Sequence, residues 1–84
     1  MSGYHEYRYW SPTLGGDAVR LSMVDKRGGE FYRIILVSSG FVRDDDGKRV
    51  SRYRVERDRA LDAIEDAVRR SDQHGGDEPG EVVT

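Results

Sequence analysis

The chain has no cysteine, which removes disulfide staples and thiolate metal cages together. Small secreted domains commonly depend on such staples, so an intracellular, cytoplasmic protein is the expectation. Apolar runs are short. The longest, Ile34-Ile35-Leu36-Val37, falls far below the ~20 residues of a membrane-spanning helix, and no basic stretch leads into an apolar one at the amino terminus. Neither export nor membrane insertion is expected. Histidine is scarce as well: His5 and His74 are expected in a strand and in a tail, and they make neither a metal pair nor a positioned base.

Catalytic signatures are missing too. Ser38-Ser39-Gly40 lacks the G-x-S-x-G elbow of a strand-mounted nucleophile, and the glycine pairs lack the spacing of a phosphate or dinucleotide loop. Asp44-Asp45-Asp46-Gly47 has the look of a calcium loop. With Gly47 at the sixth loop position, however, Val42 and Tyr53 occupy the first and twelfth, where the ion needs carboxylates. The stretch reads as a solvated turn. No enzyme, metal site or cofactor is expected.

What is present is a short, highly charged chain of 84 residues, 36% hydrophobic and 36% charged. That length makes one domain with a thin core, which dimerisation would thicken. The net charge of −2 hides an asymmetry of +3 over residues 1–59 and −5 over residues 60–84. Twelve of the fourteen cations are arginine, whose planar fork pairs with phosphate and stacks on rings.

Period-two patterns predict strands over residues 4–10, 17–25, 30–38 and 48–56. Ser11-Pro12 with Gly15-Gly16, Lys26-Arg27-Gly28-Gly29, and Asp44-Asp45-Asp46-Gly47 supply the intervening turns. From Asp58, a suitable helix cap, Leu61, Ile64 and Val68 with Ala60, Ala63 and Ala67 recur at helical spacing as far as Ser71. The expected fold is α+β: a four-stranded antiparallel meander with one C-terminal helix on one face, ββββα, in a domain over residues 1–71. Residues 72–84, rich in glycine and acids, are expected to be a disordered tail.

The rows with the better apolar score, Tyr7 and Tyr9, Val19, Leu21 and Met23, and Tyr32, Ile34 and Leu36, with Tyr53 and Val55, are expected to face the helix. Arg8, Arg20, Arg33, Arg52 and Arg54 then share the opposite face with Tyr4, Trp10 and Phe31. Arginine interleaved with aromatic rings on an open sheet suits single-stranded DNA or RNA, the cations following phosphate while the rings stack on bases. Ile35 and Val37 on that face fit a protein partner instead, so a protein-interaction module, an inhibitor or adaptor, is the competing expectation.

The order of strands and helix, the hairpin Gly28-Gly29-Glu30-Phe31-Tyr32-Arg33-Ile34 and the closing helix Ala60 to Arg70 resemble one repeat of the PUR (purine-rich-element-binding) family, and are similar to the whirly-like single-stranded-DNA-binding coactivators. The resemblance covers residues 4–71. It implies single-stranded nucleic-acid binding on the sheet. It also implies a homodimer with a shared core, for which Phe31, Ile35, Val37, Leu61, Ile64 and Val68 are the expected interface residues.

Overall fold

The computed structural model describes residues 3–73. The fold is α+β with antiparallel strands and one C-terminal helix, in the order β1 (His5–Ser11), β2 (Gly16–Val24), β3 (Glu30–Leu36), β4 (Phe41–Arg43), β5 (Arg49–Ser51) and α1 (Arg52–Gln73). The described residues form five strands in two sheets, not four in one meander: β1-β2-β3 form one sheet and β4-β5 a separate two-stranded ribbon. The expected tail and His74 fall outside the described residues, except that Asp72 and Gln73 complete the helix.

The helix begins six residues before the expected cap, at Arg52. Arg52-Tyr53-Arg54-Val55-Glu56 alternates like a strand, but Tyr53 also continues the row Ala60, Leu61, Ile64 and Val68 at helical spacing. As a helix, the segment packs Tyr53 with Leu61 and Val68 against the core, which extending β5 through the five residues Arg52 to Glu56 would forgo. Ser51 is the cap instead of Asp58, its Oγ accepting from the Arg54 amide at 3.3 Å. The β4 strand is missed from sequence because three residues are too few to show a period.

Two turns share one construction. In each, an Asp carboxylate accepts from backbone amides two and four residues on: Asp25 from Arg27 and Gly29 at 3.0 and 2.7 Å, Asp44 from Asp46 and Lys48 at 2.9 and 2.7 Å. Gly28 and Gly47, three residues after each Asp, carry φ of 86° and 80°, in the left-handed region where a Cβ is penalised.

The helix lies over β2 and β3. Val19, Leu21, Met23, Ala60 and Ile64 form the buried core, bordered by Phe31, Ile35, Val37, Tyr53, Leu61 and Val68. The six residues expected at a dimer interface are therefore packed within one chain. No helix among the described residues is long and apolar enough to cross a membrane.

Candidate interaction surface on the open sheet face

Directly paired residues of antiparallel strands project to the same face. Val19 pairs with Arg8 and Ile35, Leu21 with Glu6 and Arg33, and Met23 with Phe31, so these rows face the helix. The other rows are Tyr9–Ala18–Leu36, Tyr7–Arg20–Ile34 and His5–Ser22–Tyr32, and they form the open face. The expected phase is correct for β2 and inverted for β1 and β3.

Turn length causes the inversion. The β1–β2 register closes at Ser11 opposite Gly16, and the β2–β3 register at Val24 opposite Glu30. A shift of one residue in either turn would exchange the faces of the strand it positions. The helix-side polar groups of β1 are tolerated because the helix lies over the other two strands. There Glu6 Oε2 accepts from the Tyr53 hydroxyl at 3.4 Å. Burial, then the neighbouring Glu6 charge, pushes the Tyr53 hydroxyl pKa up.

The arginines consequently do not share a face. Arg20 lies on the open face, Arg8 and Arg33 are exposed on the helix side, and Arg52 and Arg54 stand on the first helical turn. Of the expected stacking residues, Trp10 is exposed opposite Asp17, Tyr4 is exposed just before β1, and Phe31 is half-buried against the core. The structure puts Arg8, Trp10, Phe31 and Arg33 on the helix side, Arg20 on the opposite face and Arg52 and Arg54 on the helix, so it does not gather the expected residues into one surface.

What it does bring together is an aromatic and aliphatic surface with no layer above it among the described residues. Tyr7 is 64% exposed, Tyr32 54%, Leu36 43% and Ile34 41%. The Tyr7 and Tyr9 rings stack with centroids 5.6 Å apart and planes at 20°. Beneath them Ala18 and Ser22 are buried although no second layer among the described residues covers them, because the larger residues on either side shield them.

Arg20 lies flat on this surface, its guanidinium carbon 4.3 Å from the Tyr32 ring centre and its Nη1 donating to Glu30 Oε2 at 3.0 Å. That bond raises the Arg20 pKa and lowers the Glu30 pKa. Both groups thus stay charged and the pair adds no net charge. Sequence reasoning missed Tyr7, Tyr9, Tyr32, Ile34 and Leu36 as a surface. The available signal was β3 itself, apolar on both faces while one helix can cover only one.

Among the described residues, no group of three or more His, Asp or Glu side chains is placed to hold a metal ion. No protein-family model matches the chain, and neither does any curated protein or solved structure.

Proposed function

We propose that the chain is a protein-interaction module that docks a partner on the open face of the β1-β2-β3 sheet. The observation that carries this reading is the uncovered row of Tyr7, Tyr9, Tyr32, Ile34 and Leu36. Monomeric proteins rarely leave a contiguous apolar patch of this kind facing water, and aromatic side chains are enriched where proteins meet. Nucleic-acid binding on the same face has weaker support. Its rings could stack on bases, but the cation among them is held by Glu30 and Tyr32, and a binder needs cations free to displace counterions from phosphate.

The test uses immobilised wild-type protein and Ile34→Asp in nuclease-treated extract of the cells that express the chain. Protein partners should be retained by the wild type and lost with Ile34→Asp. The outcome against this reading is saturable binding of a labelled single strand that weakens steeply with salt and disappears with Arg20→Ala.

A further inference from the structure

We infer that the open face is a self-association surface, and that a second copy of this chain docks on it face to face about a two-fold axis running along β2. This rests on the docking reading above and names its partner.

A sheet that is apolar on both faces needs cover on both. Here α1 covers one face, while β3 presents Phe31 and Ile35 to the helix and Tyr32, Ile34 and Leu36 to the other side. A second copy supplies the missing layer and gives an α-β-β-α sandwich whose sheets lie about 10 Å apart.

Arg20 and Glu30 pair at 3.0 Å, so two copies approach each other without the repulsion that a surface of one sign imposes on itself. Arg20 leans toward Tyr32 on β3, and the two-fold operation therefore sends the two guanidinium groups to opposite sides of the axis.

Along β1 the open face carries His5 and the aromatic Tyr7 and Tyr9; along β3 it carries Tyr32 and the aliphatic Ile34 and Leu36; and the line between them holds the small buried Ala18 and Ser22 with Arg20. Rotation about an axis on β2 lays the β1 edge of one copy over the β3 edge of the other, Tyr7 on Ile34 and Tyr9 on Leu36. The rings of each copy fill the other's aliphatic side, and each contact occurs twice, as two-fold symmetry requires.

The size of the surface sets the strength. Three strands spaced at about 4.8 Å, with seven residues rising about 3.4 Å each, give a face of roughly 24 by 14 Å. A standard interface takes about 800 Å² from each partner, and this face offers less than half of that, so the association is expected to be weak and reversible.

Sedimentation equilibrium from about 1 μM to about 1 mM tests this, with circular dichroism to establish that each variant is folded. The wild type should pass from monomer to dimer across that range. Ile34→Asp and Tyr7→Arg alone should each raise Kd by roughly thirty-fold or more. An equimolar mixture of the two variants should recover a heterodimer, because the opposite charges meet across the axis while the second contact stays native. If Ile34→Asp does not fold, Tyr7→Arg, at a position 64% exposed, carries the comparison.

A wild type that stays monomeric throughout overturns the inference. Binding of an apolar dye then separates the two readings: dye binding that Ile34→Asp removes leaves the face as a dock for another protein, and no dye binding takes the docking reading down as well. A dimer indifferent to both substitutions, or variants that do not complement one another, also overturns it.

Discussion

Asp25 shows how much one carboxylate can hold together. It closes the β2–β3 turn through the amides of Arg27 and Gly29, and its other oxygen accepts from Ser71 Oγ at 2.8 Å, near the end of the helix. Asp72 returns the contact by accepting from the Lys26 amide at 2.8 Å. The Ser71 hydrogen bond, followed by that from Gly29, lowers the Asp25 pKa. Because the folded value lies below the unfolded one, the stability this group supplies is fully present above the ordinary carboxylate range. It is lost as pH falls through the lowered folded value. Ser71→Ala should move the Asp25 pKa back up, read by NMR titration, and should lower the melting temperature at pH 7 by an amount that shrinks in acid. In the core, Leu21 is fully buried between sheet and helix. Leu21→Ala should cost about 3 kcal/mol in chemical denaturation, a large share of the roughly 5–10 kcal/mol expected for a domain of this size.

Among the elements, the helix carries a local conflict at its start. Its first turn contains no acidic residue, while Arg52 and Arg54 place positive charge at the positive end of the helix dipole. Ser51 Oγ accepts from the Arg54 amide, while the Arg52 amide donates to the Gly40 carbonyl at 3.0 Å. Ser51→Ala should therefore destabilise the protein by about 1 kcal/mol. Arg54→Glu should stabilise it by about 0.5 kcal/mol, since a carboxylate three residues after the cap can reach back to the Ser51 amide. Thermal melts of the two variants check both signs. The same stretch marks where the sequence was legible and where it was not. The first three strands, the two turns built on Asp and Gly, and the helix from Ala60 onward announce themselves, because period, turn chemistry and apolar spacing agree there. Between Lys48 and Glu56 they disagree. Arg52 to Glu56 satisfies a period of two as well as it satisfies the helix, and only the tertiary packing of Tyr53 decides.

For the molecule as a whole, the candidate surface was hidden by parity. The residues of β1 and β3 were readable as strands, but which face each presents depends on the registers set by the two turns, and β3 is apolar either way. Phase therefore belongs to the assembled sheet. Five arginines expected on one plane are divided among the open face, the helix side and the helix start, and rings expected inside form the outer surface. A second copy docked on the open face, as inferred, would tie stability to association: whatever binds the folded chain and not the unfolded one raises its melting point with concentration. Wild-type protein should thus melt a few degrees higher at concentrations about tenfold above Kd than at concentrations well below it. Ile34→Asp should melt at one temperature throughout, close to that of dilute wild type, because an exposed strand position contributes little to the monomer's own packing. Scanning calorimetry over that range reads both behaviours. A wild-type melting point independent of concentration would mean that the open face contributes nothing to the stability of the fold.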